Sequence, residues 1–372
     1  MLNNKIYLNF IFEIFKTFLL ILFSLSLVAL TVRAVSFLDL IVENGYPLIT
    51  YFKYSSLNLF GIAPKFIPLS FLLALTIFIL KHLHDSEFVI LWTSGVKKIQ
   101  IVNLFLFSSF IILVLYLLLS TFLTPLALNK SRQLLSNENF NSFVPTIRTQ
   151  QFSDSFKGFT FIVERKIDNE IQNIFMHDKG NSLKSLSSNS SETQSTTIIA
   201  ENGIVENQKM FLFNGQIISS KKDLSNEIIK FKQLSIDLNN LSTNTIKAAK
   251  IQETSTLRLL RCLTFKLNKE KFCNKGFKKE ILPTLNRRII FPFYIPVLTL
   301  ICSLLLIKKK KESLNTITVF IYGFLLLLFT ELAVRYTGIN KNVSILFILV
   351  PVVLFLFFYS YLNYQFSKES KS

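Results

Sequence analysis

Few side chains in this sequence have the types and spacing that chemistry requires. His82 and His84 lie two residues apart on a stretch of helical character, so they point to different faces, and His177 is remote from both. Neither arrangement suits a metal ion. Cys302 falls in an apolar run, while Cys262 and Cys273 fall in a basic one, where compartment decides whether a disulfide forms and spacing does not assign it. No Gly-rich loop ends in Gly-Lys-Ser or Gly-Lys-Thr, so the chain carries no P-loop of its own. With no nucleophile beside a legible base, the expectation is a protein that is not an enzyme and holds no cofactor or metal. What remains is one loop, Lys81-His-Leu-His-Asp-Ser-Glu-Phe-Val-Ile-Leu-Trp-Thr-Ser-Gly-Val-Lys-Lys. Asp85 and Ser86 can cap a helix whose Phe88, Leu91 and Trp92 share one face, and Gly95 can end it before Lys97 and Lys98. Such a helix either rests on a lipid surface or docks a cytoplasmic partner through Trp92 and Glu87. Two further groups bear on anions. Arg33 follows an apolar run directly, where a guanidinium either holds a phosphate or snorkels to bulk headgroups. Glu331 and Arg335 are one helical turn apart and are expected to meet on one face, as a structural pair or as one that exchanges Glu331 for a lipid phosphate.

The elements that must position these groups are membrane helices. Half of the 372 residues are hydrophobic, 39 are Phe and only 17% are charged, and the mean hydropathy is positive; this excludes a disordered or ordinary soluble protein. Six runs are long enough to cross the hydrocarbon, at about 12–33, 57–80, 100–123, 289–307, 314–334 and 343–364, three before a polar middle and three after it. The first is expected to be a retained signal-anchor. A cytoplasmic N-terminus places Lys5, Lys81, Lys97, Lys98, Lys308 to Lys311, Lys368 and Lys371 inside and leaves Arg33, Lys53, Arg335 and Lys341 outside, as the positive-inside rule asks. Both termini are then cytoplasmic. Pro64 and Pro68 predict a kink or a broken start in the second span, as a packing feature or as a gate.

The net charge of +18 is uneven: residues 251–288 carry 10 basic against 3 acidic, whereas residues 126–250 carry 15 against 12. Basic residues gather beside apolar segments, which points to anionic headgroups rather than nucleic acid. Between Ile147 and Leu238 the pattern turns to period two, and Asn202-Gly203 and Asn214-Gly215 read as hairpin turns between about seven short strands of a sandwich or open roll. The interior is expected from Phe159, Phe161, Val163, Phe175, Phe211, Phe213 and Phe231, as an ordinary core or a lipid-holding groove. The Ser-rich tract Ser182 to Ser195 reads as a loop.

Taken together, Pro68-Leu-Ser, Asp85-Ser-Glu-Phe-x-x-Leu-x-x-Ser-Gly, the β-rich middle and Glu280-x-x-x-x-x-x-Arg287-Arg288-x-x-x-Pro292 resemble the LptF/LptG-type permeases that extract lipopolysaccharide from the bacterial inner membrane. Arg148-Thr-Gln-Gln-Phe and Gly158-Phe-Thr-Phe-Ile-Val-Glu-Arg look more like the F-type subunit. The resemblance implies a membrane α-helical fold of three plus three spans with an inserted periplasmic β-jellyroll. It implies as partners a paralogous permease, a cytoplasmic ABC ATPase dimer, a single-span bitopic subunit and a periplasmic bridge. It makes the loop helix a coupling helix with Glu87 at the ATPase and gives Arg33 to the lipid's phosphates; the reading of the residues adds Phe88, Leu91 and Trp92 to the coupling candidates and Arg287 and Arg335 to the phosphate candidates. The chain departs from the family in Trp92, in the Ser-rich insertion and in its cysteine pair. Domains are expected at 1–125 (three spans, coupling helix at about 84–96), 126–250 (β domain), 251–288 (basic connector) and 289–372 (three spans and a tail). Alternatives are a subunit that transmits force without passing substrate, and a membrane-anchored assembly or sensor protein whose β domain binds partners.

Overall fold

The computed structural model describes residues 5–42, 47–138, 149–156, 159–167, 170–179, 193–206, 209–221, 226–237, 250–264, 278–307 and 312–369. It forms two compact units, Met1–Val32 with Leu57–Asn129 and Ala249–Ser372, and Arg33–Ser56 with Lys130–Ala248.

Six helices are long and apolar enough to cross a membrane: Lys5–Phe37, Leu48–His84, Lys98–Leu135, Lys279–Leu306, Asn315–Tyr336 and Asn342–Glu369. The expectation of three spans on either side of the middle is met. The helices overrun the apolar runs because backbone groups near lipid are most easily satisfied within a helix. The fourth span is the most buried and the first and sixth the least, so the fourth is the hub of the first unit. Every residue from Tyr294 to Ser303 is buried. At the Lys-rich end, Phe10, Phe78, Phe88 and Phe105 meet edge to face at centroid separations of 5.4 to 6.3 Å, a geometry that aligns ring edges with ring faces.

The second span does not break at its prolines; the helix runs from Leu48 to His84 with Pro64 and Pro68 inside it. Pro64 lacks the N–H that would reach the Phe60 carbonyl one turn earlier. Thr124 supplies the missing donor, its Oγ1 lying 2.8 Å from the Phe60 oxygen. A neighbouring span thus repairs what the sequence at this point would break.

Two spans carry a π-helical turn that the sequence analysis did not foresee, Leu119–Leu123 in the third and Asn286–Ile290 in the fourth. Such turns loosen the backbone ladder and are common at functional sites. Both are stapled. The Tyr116 hydroxyl donates to the Arg287 carbonyl at 3.1 Å, and the Thr256 hydroxyl donates to the Thr121 carbonyl at 2.9 Å. Arg288, 4% exposed, donates to the carbonyls of Thr254 (2.9 Å) and Gln252 (2.8 Å) and to the Thr256 Oγ1 (3.0 Å). The segment returning to the membrane is therefore fastened to both π-turns.

In the second unit, β1 (Ser153–Phe156), β2 (Phe159–Ile167), β3 (Glu170–Asp178), β4 (Thr193–Glu206), β5 (Lys209–Lys221) and β6 (Asn226–Asp237) form one antiparallel sheet in sequence order. An inserted β domain is as expected; its internal plan needs correcting. Pairing among the described strands is sequential, that of a meander. Asn202-Gly203 and Asn214-Gly215 are not turns. They sit inside β4 and β5, paired as Gly203 with Leu212 and Gly215 with Phe231. Glycine is needed there for close approach: a Cβ on Gly203 would come 2.7 Å from Ile174 Cδ1, and one on Gly215 would overlap the Ile199 carbonyl and the Phe231 ring. Glycine opposite an aromatic lets the ring lie flat on the sheet.

In two strands the expected Phe lie off the core face, and that face switches parity within the strand at Asn173 and at Asn214, both at positive φ. Phe161 and Val163 are buried as expected, but β3 buries Ile171, Ile174 and Met176, and β5 buries Met210, Leu212 and Ile217. Phe175, Phe211, Phe213 and Phe231 are only half-buried. Where apolar residues stand at consecutive positions, period two does not say which set faces the core. Phe159's side chain and most of the Ser-rich tract lie outside the described residues.

Candidate functional site

The loop after the second span folds into the short helix Glu87–Thr93. Its entry is set by backbone conformation rather than by a cap: Ser86 has φ 61° and makes no side-chain cap bond. Gly95, at φ 94°, ends it, with its N–H on the Trp92 carbonyl and the Val96 N–H on that of Leu91. The helix is too short to hold itself together, so packing must fix it. Phe88 is fully buried among Phe10, Phe78, His82 and Phe105. Trp92 stacks on Phe88 at 6.1 Å and carries the Lys98 ammonium 4.5 Å over its ring. Lys98 in turn reaches Glu369 at 2.6 Å. Phe88 therefore anchors the helix inward, while Val89 and Ile90, 46% and 64% exposed, face outward.

Glu87 is tied inward as well. His82 is buried, with Nδ1 2.9 Å from the Phe78 carbonyl; because a carbonyl only accepts, that nitrogen is the donor. Nε2 then lies 3.4 Å from Glu13 and 3.3 Å from Glu87, and Glu13 also meets Lys81 at 2.6 Å. First span, second span and loop helix share one polar cluster. Glu13 and Ile90 were not among the sequence candidates, and His82 was weighed only as a metal ligand. Glu13 carried a signal, as an acid set in an apolar run.

At the other end of the unit, a cleft of about 210 Å³ is lined by Lys65, Pro68 and Leu69 of the second span, Tyr116 of the third, Arg287 and Phe291 of the fourth, and Phe324, Leu327, Leu328 and Glu331 of the fifth. Its polar groups on the second, third and fifth spans lie at one level. Lys65 is 19 residues from His84, Tyr116 is 18 from Lys98, and Glu331 is 19 from Glu312, which at 1.5 Å per residue is roughly 27–29 Å from the Lys-rich end. That matches the far boundary of a hydrocarbon layer about 30 Å thick. The cleft thus has a charged rim over apolar walls.

Glu331 is paired with Arg287 of the fourth span, not with Arg335 one turn along its own helix as the i,i+4 spacing suggested. The spacing permits that meeting, but an arginine on a neighbouring helix reached the carboxylate first. Arg335 is exposed in the last turn of the fifth span. Arg33 is exposed near the end of the first-span helix and belongs to the second compact unit, apart from the unit that holds Arg287 and Arg335. Lys65, flanked by Pro64 in an apolar run, was legible as an outlier; Tyr116 was not. Cys302 is free and buried, Cys262 is disulfide-bonded, and Cys273 lies outside the described residues.

No curated protein matches the chain. The profile of the lipopolysaccharide export system permease family LptF/LptG, in contrast, matches residues 9–365, spanning the six helices, the inserted sheet, the loop helix and the charged cleft. The chain is a multi-pass membrane protein and belongs to the lipopolysaccharide export system permease family LptF/LptG.

Proposed function

We propose that the chain, which its family makes a permease component of the lipopolysaccharide export system, sits in the bacterial inner membrane with both termini cytoplasmic and works with a second permease, paralogue or copy. A separate ATPase dimer drives it, a single-span subunit accompanies it, and the lipid passes through the β domain to a periplasmic bridge. The observation that carries this proposal is the cleft with Lys65, Arg287 and Glu331 at its rim and Leu69, Phe324 and Leu328 on its walls. A lipid bearing phosphates and several acyl chains needs charge at headgroup depth directly above apolar surface. The loop helix supports ATP coupling, because its outward residues Val89 and Ile90 are apolar while Phe88 ties it to the core, so a push on that face moves the spans. Of the candidates for the lipid's phosphates, Arg287 is favoured by its place at the rim; Arg33 and Arg335, both exposed, are assigned to the same role.

Photocrosslinking residues at Phe324 and Phe213 in the assembled complex test this. A transporter is labelled by lipopolysaccharide at both positions. Labelling at neither identifies a force transmitter, and labelling at Phe213 alone identifies a binding module.

A further inference from the structure

The helix Thr256–Thr264 precedes the fourth span and carries more apolar surface than its packing uses. Leu259, Cys262 and Leu263 join Ile281, Leu285 and Ile289 of the π-turned start of that span in one apolar cluster. Leu257 and Leu260 do not; they are 65% and 37% exposed. Arg258 and Arg261 are exposed as well. At roughly 100° per residue, Leu257 and Leu260 fall together beside the packed face and Arg258 and Arg261 fall together beyond them, the two pairs roughly 100° apart. The helix thus has a packed side, a leucine side and an arginine side.

Exposed leucines alone do not say what covers them; the depth of this helix does. Its first turn is fastened twice. The Thr256 hydroxyl donates to the Thr121 carbonyl, and Arg288 donates to Thr256 and to the carbonyls of Gln252 and Thr254. Thr121 is 23 residues along the third span from Lys98, and Arg288 is 18 from Leu306 at the Lys-rich end of the fourth. Those separations are roughly 34 and 27 Å. A bilayer has about 30 Å of hydrocarbon and about 40–45 Å with its headgroups, so the two fastenings straddle the boundary between acyl chains and headgroups in the far leaflet. Leu257 follows Thr256 directly, and Leu260 is roughly 6 Å from Thr256 along the axis. The charge suits that layer too, since residues 251–288 carry 10 basic against 3 acidic, and phosphates attract cations held at the membrane surface.

We propose that this helix is an interfacial anchor in the leaflet opposite the Lys-rich end. Leu257 and Leu260 enter the acyl chains of bilayer phospholipids, and Arg261, with Arg258 beside it, holds their phosphates. An interfacial helix needs this arrangement, because its apolar side is buried in the boundary layer while the guanidinium stays at headgroup depth. A guanidinium also gives a phosphate two directed hydrogen bonds. Through Thr256 and Arg288 the anchor fixes the level of both π-turns against the leaflet surface.

The test is fluorescence quenching of the full complex in nanodiscs, with an encoded fluorescent amino acid replacing Leu257 or, as control, the exposed Lys230 of the β domain. Phospholipids brominated near the headgroup should quench the reporter at 257 more than phospholipids brominated near the methyl end, and aqueous iodide should barely quench it. The reporter at 230 should respond to iodide alone. When a minority of brominated phosphatidylglycerol is diluted in plain phosphatidylcholine, quenching at 257 should exceed that from the same fraction of brominated phosphatidylcholine. Arg261→Gln should lower this local enrichment roughly 5-fold, the effect of one cation at a membrane surface. A reporter at Leu260 repeats the measurement should the one at 257 prevent assembly. Quenching by iodide instead of lipid, quenching by neither because another subunit covers the leucines, or equal quenching by the two brominated lipids overturns the proposal. None of these outcomes bears on lipopolysaccharide transport, which is read at Phe324 and Phe213.

Discussion

Replacing Glu331 by Gln keeps the shape of the side chain and removes its charge, which separates two roles for its pair with Arg287. The pair lies at the cleft rim, with side-chain exposures of 31% for Arg287 and 45% for Glu331, so solvent screens it and its contribution to stability is small, about 0.5–1 kcal/mol. If Glu331 holds Arg287 until a lipid phosphate displaces it, Glu331→Gln leaves the guanidinium free, and lipopolysaccharide should be retained roughly 2- to 5-fold better, by the same 0.5–1 kcal/mol. Arg287→Gln removes the phosphate's donor. A charge-assisted hydrogen bond contributes about 1.5–3 kcal/mol, so retention should fall roughly 10- to 150-fold. The double variant should bind as weakly as Arg287→Gln, because releasing an arginine that is absent gains nothing. The assay is lipid phosphate per purified complex after detergent washing, with melting temperature and subunit recovery measured in parallel. The argument is refuted if both single variants lower melting temperature and recovery alike while lipid per complex is unchanged. The bond between fourth and fifth spans would then be purely structural.

Four other outcomes follow from the geometry. Ile90→Asp should reduce lipid-stimulated ATP hydrolysis at least tenfold with melting temperature unchanged, whereas Phe88→Ala should destabilise the bundle by about 3–5 kcal/mol, since it empties a buried aromatic site; thermal melts beside hydrolysis rates decide this. Glu87→Lys is expected to disturb both, because Glu87 faces His82 as well as the outside. Arg288→Met should lower stability by about 3 kcal/mol through the orphaned Gln252 and Thr254 carbonyls, seen as faster proteolysis between residues 250 and 264. Gly215→Val should destabilise the β domain by about 1–3 kcal/mol through overpacking against Phe231 and the Ile199 carbonyl, with Gly215→Ala intermediate; limited proteolysis across the strands measures it.

The six spans and their three-plus-three grouping were legible in the sequence, because a run of apolar residues long enough to cross hydrocarbon is a local property that needs no partner. So were the loop helix and its Gly95 stop, since positive φ at a helix end is met by glycine wherever the chain goes next. The β character of the middle was legible for the same reason, from alternation and β-branched residues. Which residues face which way was not. Asn-Gly can make a hairpin or can let strands and rings approach closely, and only the pairing of Gly203 with Leu212 and of Gly215 with Phe231 decides between them. Phe88 has the same apolar signature whether it docks a partner or anchors a helix; Phe10, Phe78 and Phe105 closing around it settle the matter. Pro64 should break a helix, yet the donor it lacks comes from Thr124, 60 residues further along the chain. Glu331 could meet Arg335 by spacing, and it meets Arg287 because the fourth span passes closer. Local propensity, periodicity and capping are written residue by residue; ion pairs, repaired carbonyls and the grooves between spans depend on which helices become neighbours, and that is set by packing across the whole bundle.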